Sequence, residues 1–189
     1  MEVGSIQELS TLINMKIDTL VVGSLRENCY IVTIGDNSFI VDPGDEAERI
    51  INACKDKNIK EILVTHHHFD HVGALESVKN YYNAKVYDYS TLKEENNIGV
   101  FTFRVIPTPG HTDDSISVYF KDDNVMFVGD FVFNGSIGRT DLGGNEIDMK
   151  KSIETILSYD DSIRLYPGHY LSTTIGDERK NLEYFSKMF

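Results

Sequence analysis

The chain has 189 residues, of which 41% are hydrophobic, and its ten tyrosines and ten phenylalanines are enough to fill one substantial core. Its formal net charge of −12 at pH 7 opposes the counterion release on which nucleic-acid binding depends, and it opposes adhesion to anionic lipid. Composition and charge therefore argue against a nucleic-acid or membrane partner and favour a small-molecule substrate.

Compartment and redox state follow from what the chain lacks. No apolar run approaches the roughly 20 residues that span a bilayer, and the first residues lack the basic start and apolar block of a secretion signal. The two cysteines, Cys29 and Cys54, are not closely spaced, so we expect reduced thiols rather than a disulfide framework or a thiolate zinc site. We expect a cytoplasmic protein, and a homo-oligomer is left open.

The N-terminal part predicts an antiparallel sheet. Residues 1–14 form a short mixed segment that we interpret as an N-terminal extension, and residues 15–189 are expected to form a single domain. The segments "KIDTLVVG", "NCYIVTIG" and "SFIVD" predict three strands, with a hairpin turn at Gly35-Asp36-Asn37.

The segment Asp42-Pro43-Gly44-Asp45 breaks the third strand and offers an N-cap to a first helix. The apolar positions of that helix recur at helical spacing: Ala47, Ile50, Ile51 and Cys54. A short buried strand, "IKEILVT", follows, and "GALESVKNYY" predicts a second helix beyond the histidines. The histidines thus lie at the carboxyl end of a strand, where α/β folds commonly place their sites.

The second half of the chain repeats the pattern of strands followed by helix. After "AKVYD", the segments "IGVFTFRVIPT", "SISVYFK" and "NVMFVGD" predict three strands of a second, antiparallel sheet. A glycine-rich loop at 134–145, a helix with Met149, Ile153, Ile156 and Leu157 on one face, a strand "IRLYPGH" and a closing helix from about Thr174 complete the chain. Two such blocks predict two sheets packed face to face with helices outside.

The segment "THHHFDH" carries the strongest chemical signal. Because successive strand residues point to opposite faces, His66 and His68 project to one side and His67 to the other, which leaves His67 a packing or hydrogen-bonding role. Asp70 and His71 can converge only if the chain turns into the next helix. Imidazole and carboxylate ligands suit zinc, iron or manganese better than calcium or magnesium.

Three further residues are placed to complete such a site. His111 and His169 each follow a Pro-Gly pair that ends an apolar run, and Asp130 ends the strand "NVMFVGD". A carboxylate has two oxygens with which to bridge two ions. A polar surface cluster or a closed structural zinc site is the alternative, but structural zinc typically has four ligands rich in cysteine.

This set of residues resembles the metallo-β-lactamase superfamily. The segments "GSIGRTDLGGNEIDMKKSI" and "YPGHYLSTTIGDERKN" resemble its small glyoxalase II-like (hydroxyacylglutathione hydrolase-like) members, and the resemblance runs from about Met15 to the C-terminus. It implies an α/β (α+β) fold, a four-layered αβ/βα sandwich of two mixed β-sheets flanked by helices. It also implies a first divalent ion on His66, His68 and His111, a second on Asp70, His71 and His169, and Asp130 as the bridge. Zinc is the expected ion, with iron or manganese as alternatives. The resemblance further implies that residues 22–28 form a loop at the rim of the site.

The resemblance implies hydrolysis of a small thioester or ester. Two ions roughly 3.5 to 4 Å apart can share a water and lower its pKa, so that a bridging hydroxide attacks the carbonyl, and Asp70 is the side chain expected to transfer a proton directly. A persulfide dioxygenase shares this fold and the "GRTD" loop but binds one iron and consumes oxygen. A flavodiiron protein would have a glutamate in place of His68, and a noncatalytic metal-binding module would hydrolyse no thioester.

Four residues around this set have two interpretations each. Arg139 contacts a substrate carboxylate or fixes its own loop, and Tyr170, which with Leu171 departs from the "PGHGP" pattern of many members, contacts the substrate or packs. Tyr30 lines the pocket or belongs to the core. Asp42 orients a ligand histidine or caps the first helix.

Overall fold

The computed structural model describes residues 15–189, so the extension expected at residues 1–14 lies outside the described residues. The strands of the described part are β1 (Lys16–Val22), β2 (Glu27–Ile34), β3 (Asn37–Val41), β4 (Asn58–Leu63), β5 (Lys85–Tyr87), β6 (Glu95–Ile98), β7 (Phe101–Pro107), β8 (Ile116–Phe120), β9 (Val125–Gly129), β10 (Val132–Phe133), β11 (Ser136–Ile137), β12 (Arg164–Pro167) and β13 (Thr173–Thr174). The helices are α1 (Ala47–Ala53), α2 (Phe69–Val72), α3 (Leu75–Tyr82), α4 (Glu146–Ile156) and α5 (Ile175–Met188).

The first sheet has the strand order β1-β2-β3-β4-β5. Strands β1, β2 and β3 are antiparallel, which confirms the predicted opening meander, whereas β4 and β5 run parallel to β3. Helices α1 and α3 are crossover connections. Each returns the chain to the end of the sheet at which the preceding strand began, so the next strand runs parallel to it.

The second sheet has the order β13-β12-β9-β8-β7-β6 and is mixed rather than antiparallel throughout. Strand β12 is parallel to β9, because α4 lies between them and carries the chain back. The segment "IGVFTFRVIPT", predicted as one strand, contains the turn of the β6–β7 hairpin. Gly99 adopts a φ of 60° in that turn, which glycine tolerates without steric cost.

Three apolar clusters show that the layers are helix, sheet, sheet and helix. The cluster between the sheets joins Phe39 and Val41 of β3 to Phe101 and Phe127 of the second sheet. A second cluster packs α4 and α5 on the outer face of the second sheet, and a third packs α1 and α3 on the first. Helix α4 buries Met149, Ile153 and Ile156, as predicted, and Leu157 is its C-cap.

The helix starts differ in one respect from the prediction. Thr174 caps α5 by accepting a hydrogen bond from the backbone of Asp177, as its position in the sequence predicts. The N-cap of α1 is Glu46, without a side-chain cap, so the expected cap from residues 42–45 is wrong. The carboxylate of Asp42 instead accepts from Thr65, which directs it toward the interior. No helix among residues 15–189 has the length and apolarity that crossing a bilayer requires.

Both cysteines lie in the core and are free thiols. Burial raises the pKa of Cys54 to about 11 and raises the pKa of Cys29 well above its ordinary value. The thiolate is the reactive form, so at pH 8 we expect a thiol reagent to modify the native protein at least about a hundredfold more slowly than the unfolded chain. A colorimetric thiol assay with and without denaturant measures this, and equal rates would contradict the described burial.

Candidate metal centre

The predicted ligands come from chain segments that leave both sheets at one edge. His66 follows the C-terminal end of β4, and Asp70 and His71 lie on the one-turn helix α2. Asp130 and His169 follow β9 and β12. Because β12 is parallel to β9, with Pro167 paired to Gly129, these two side chains leave neighbouring strands side by side.

The first group consists of His66, His68 and His111, whose possible ligand atoms all lie within 4.8 Å of one another. Nδ1 of His68 is 2.8 Å from Nε2 of His111. The ring centroid of His66 is 4.8 Å from that of His68 and 5.0 Å from that of His111. Three imidazole nitrogens thus converge on one point, as the sequence predicts.

The second group consists of Asp70, His71 and His169, with the same mutual reach. Nε2 of His169 is 3.2 Å from Oδ2 of Asp70, and Nε2 of His71 is 4.0 Å from the same oxygen. The turn into α2, predicted as the condition for Asp70 and His71 to converge, is therefore present.

Asp130 lies between the two groups. Its Oδ1 is 3.3 Å from Nε2 of His71, whereas its Oδ2 is 3.5 Å from Nε2 of His111 and 3.5 Å from Nε2 of His169. One carboxylate therefore reaches residues of both groups, which is the position that a bridging ligand requires.

The buried atoms at the centre fit a cation. Within residues 15–189, Nε2 of His66, Nε2 of His71 and Oδ1 of Asp130 are buried without a hydrogen-bond partner. Buried polar atoms in proteins are nearly always paired, and these three converge on the same space. Imidazole nitrogens and carboxylate oxygens are the donors that zinc, iron and manganese accept.

Backbone carbonyls hold two of the histidine rings in a ligand orientation. Nδ1 of His111 donates to the carbonyl of Arg139 at 2.7 Å, and Nε2 of His68 donates to the carbonyl of Leu142 at 2.9 Å. Each bond leaves the other ring nitrogen to face the centre. Such outer contacts fix the tautomer and ring orientation of metal-ligating histidines. Both carbonyls lie in the glycine-rich loop, where no side-chain signal in the sequence marks them.

Asp42 orients one histidine of each group. Its Oδ2 accepts from Nδ1 of His71 at 3.0 Å and from Oγ1 of Thr65 at 2.6 Å. That hydroxyl in turn lies 3.2 Å from Nδ1 of His66, from which it accepts. Of the two interpretations of Asp42, the structure thus has the orienting carboxylate and not the helix cap.

Replacing Asp42 with asparagine should weaken metal binding by about 10- to 100-fold, the usual cost of losing an outer-shell partner. Asparagine tolerates the positive φ of 48° at this position, so the change removes charge and an acceptor without straining the backbone. Metal affinity, measured by competition with a chromogenic chelator, checks the prediction. Asp36→Asn, in the exposed β2–β3 turn, is the control, and equal affinities for both variants would contradict the role.

Four histidines of the cluster fall into two classes, those whose pKa is lowered and those whose pKa is raised. Burial lowers the pKa of His66 and of His111, which keeps both rings neutral and able to ligate. For His71 and His169, burial is outweighed by neighbouring carboxylates, which raise the pKa of His71 well above its ordinary value and that of His169 to about 9. The same contacts hold the pKa of Asp130 low against burial. A cation at the centre would replace these protons.

Comparison with known proteins identifies the architecture. The family model described as the metallo-β-lactamase superfamily matches residues 22–95 and 90–169. The chain belongs to the metallo-β-lactamase superfamily. Membership supports a metal-dependent enzyme and confirms the predicted fold class.

Two curated relatives cover most of the chain. A probable metallo-hydrolase, YqgX of Bacillus subtilis (strain 168), is 32% identical over 87% of this chain and 95% of its own length. The hydroxyacylglutathione hydrolase GloC of Haemophilus influenzae is 31% identical over 88% of this chain and 96% of its own length.

Three solved structures have the same metallo-β-lactamase fold. The BLEG-1 B3 metallo-β-lactamase superposes with a TM-score of 0.86 at 30% identity, covering 90% of this chain and 99% of that one. TTHA1623 in a di-iron-bound form has a TM-score of 0.80 at 30% identity, covering 86% and 97%. ETHE1 from Myxococcus xanthus has a TM-score of 0.79 at 26% identity, covering 91% and 85%.

Glu27 is a buried acidic residue beside the ligand cluster that the sequence patterns do not reveal. Its side chain is 1% exposed, and neither carboxylate oxygen has a hydrogen-bond partner within the described residues. Burial raises the pKa of Glu27 to about 10, and the carboxylates of Asp42, Asp70 and Asp130 add to this while His71 opposes it. In the sequence Glu27 stands where a turn meets a strand, a position typical of a turn residue. No sequence pattern marks its side chain as buried.

The side chains of His67 and Arg139 contact residues that are not among the seven predicted ligands. Nδ1 of His67 lies 2.5 Å from Oδ2 of Asp114, which matches the predicted hydrogen-bonding role. The guanidinium of Arg139 is ion-paired with the carboxylate of Asp141, with two contacts of 2.6 Å. This fits its interpretation as a loop-fixing residue, and its contact with substrate stays a prediction.

A cleft of about 580 Å³ opens beside His169. It is lined by Val21, Leu25, Arg26, Asn28, Asn134, His169, Tyr170 and Leu171. Tyr170 is 70% exposed, a position that agrees with its predicted contact with substrate. Tyr30 is buried in the core and donates to the carbonyl of Pro167 at 2.5 Å, so its core interpretation is confirmed. The predicted rim loop at 22–28 supplies three of the lining residues.

Proposed function

We propose that this chain is a dinuclear metal-dependent hydrolase of a small thioester or ester, of the glyoxalase II-like type. The observation that carries the proposal is the pair of ligand groups with Asp130 between them, each group able to hold one ion. The ligands would be His66, His68 and His111 for the first ion, Asp70, His71 and His169 for the second, and Asp130 for both. The GloC relative, named as a hydroxyacylglutathione hydrolase, supports the substrate class.

When bound, the ions would lower the pKa of a water, polarise the substrate carbonyl at the first group and stabilise the departing thiolate or alkoxide at the second. The protein's own residues then have separate tasks. Burial opposes ionisation of Asp70, but the hydrogen bond to His169 and the charge of His71 lower its pKa. Its ionised carboxylate is half-buried beside His169, where it can orient the attacking water and pass a proton to the leaving group.

The second candidate is a mononuclear iron persulfide dioxygenase. The likeness to ETHE1 from Myxococcus xanthus favours it, and two histidines and one aspartate of the cluster, such as His66, His71 and Asp130 or Asp70, His71 and His169, would suffice for one ion. The size of the cluster argues for hydrolysis, because a centre with three protein ligands would leave four of the seven proposed ligands without a ligand role. The identity of the ion is a separate proposal: we propose zinc, while the di-iron form of TTHA1623 supports iron as the alternative.

A single assay separates the two candidates. Protein loaded separately with zinc, iron or manganese is incubated with a panel of thioesters, esters and lactones and with glutathione persulfide, while dissolved oxygen is monitored. We expect release of free thiol from at least one thioester without oxygen uptake, and loss of that activity on chelation. Oxygen consumption with the persulfide and no hydrolysis of any panel member would replace the proposal with the dioxygenase.

A further inference from the structure

The cleft beside His169 adjoins the ligand cluster, and its charge is unlike that of the chain as a whole. Although the protein has a net charge of −12, no aspartate or glutamate lines this cleft. Arg26 is the one arginine or lysine among the described lining residues. Within residues 15–189 its guanidinium forms no ion pair, unlike Arg49, Arg104, Arg139 and Arg179.

Two loops form the walls of the cleft: residues 22–28 and the segment with Tyr170 and Leu171 that follows β12. Contacts between these loops fix their positions. Arg26 and Tyr170, on opposite loops, both adopt a positive φ, of 59° and 66°. A non-glycine residue in that region is strained, and such residues persist where the surrounding structure holds them, often at ligand sites. The side-chain amide of Asn28 joins the two loops by donating to the carbonyls of Pro167 and Tyr170 at 3.0 and 2.8 Å.

The remaining lining is apolar at the mouth. Leu25, Tyr170 and Leu171 are 51%, 70% and 78% exposed, so three large apolar side chains flank the arginine. Pockets of this composition bind a ligand by its apolar body and orient it by a few polar contacts. An arginine suits a carboxylate because its planar fork matches both oxygens.

We infer that Arg26 is the specificity-determining residue for the leaving group and that the preferred substrate is a thioester whose thiol portion carries a carboxylate. The inference rests on the proposed function, in which His169 belongs to the group beside the leaving thiolate. The cleft opens at His169, so the thiol portion enters it and its carboxylate meets Arg26. Arg139 does not line this cleft, and its guanidinium is ion-paired with Asp141.

A matched pair of substrates tests the inference in the metal-loaded protein. S-Benzoyl-N-acetylcysteine and S-benzoyl-N-acetylcysteamine differ only in the carboxylate on the thiol portion. We expect kcat/KM of the native protein to be at least about tenfold higher for the first, mainly through KM, because charge-assisted hydrogen bonds are among the strong ones. R26Q should reduce the ratio of the two kcat/KM values to about one, with R26K intermediate. R164Q, at an exposed position on β12, is the matched control.

A binding measurement keeps this test separate from that of the proposed function. S-Benzyl-N-acetylcysteine and S-benzyl-N-acetylcysteamine are thioethers that cannot be hydrolysed, and calorimetry gives their affinities. Stronger binding of the first that R26Q abolishes supports the cleft even if no thioester is hydrolysed, which would sink only the hydrolase proposal. Hydrolysis of thioesters together with equal binding of both thioethers, or an equal loss for both in R26Q, would overturn the inference about Arg26.

Discussion

Replacing Asp130 with asparagine should lower kcat/KM for a hydrolysed thioester by about a thousandfold or more, because a two-metal site needs both ions for nucleophile and leaving group. Asp130 reaches both groups, with Oδ1 near His71 and Oδ2 near His111 and His169. An amide keeps the shape but replaces one of the two oxygens with a nitrogen that cannot ligate. We therefore expect fewer than two ions per chain in the purified variant.

Elemental analysis and kinetics together measure this outcome. Asp122→Asn is the control, because Asp122 is an exposed carboxylate between β8 and β9, at the opposite end of β9 from Asp130. Far-ultraviolet circular dichroism shows whether the variant keeps its secondary structure. Two tightly bound ions and near-native activity in Asp130→Asn would contradict its role as the bridge.

Replacing Asp70 with asparagine is expected to lower kcat by about 100- to 1000-fold while KM changes little, which is the range for losing a positioned acid or base. The amide oxygen of asparagine can still ligate, but the side chain can no longer accept a proton. Metal content should therefore stay close to that of the native protein. This separates Asp70 from Asp130, whose replacement should cost metal as well as activity.

Single-turnover kinetics at saturating substrate measure the effect on the chemical step. Asp113→Asn is the matched control, because Asp113 is an exposed aspartate two residues beyond His111. Full activity in Asp70→Asn would refute its proton-transfer role. Loss of activity together with loss of metal would leave Asp70 as a ligand only, and the direct proton transfer would have to be abandoned.

Much of the ligand cluster was predictable because alternation and chain breaks are local. Strand alternation separated His66 and His68 from His67, and His67 indeed binds Asp114 outside the cluster. Proline-glycine pairs placed His111 and His169 at strand ends. These signals depend only on residues adjacent in the chain, so a single sequence is enough to detect them.

The parts that failed depend on contacts distant in the chain. The direction of β12 follows from its pairing with β9, and the hairpin inside "IGVFTFRVIPT" depends on the pairing of the polar segment Glu95–Ile98 with β7. Glu27 resembles a turn residue until the fold buries it beside His71. Arg26 and Arg139 look alike in sequence, and only their surroundings, an open cleft for one and Asp141 for the other, distinguish them.

In the proposed mechanism two ions act together, so hydrolysis in a metal titration of the metal-free protein should depend on both. Zinc is added in sub-stoichiometric steps while thioester hydrolysis and bound metal are measured on the same samples, and the series is repeated with iron and manganese. We predict that hydrolysis reaches its plateau only at two ions per chain. Full activity at one ion per chain would contradict a dinuclear centre.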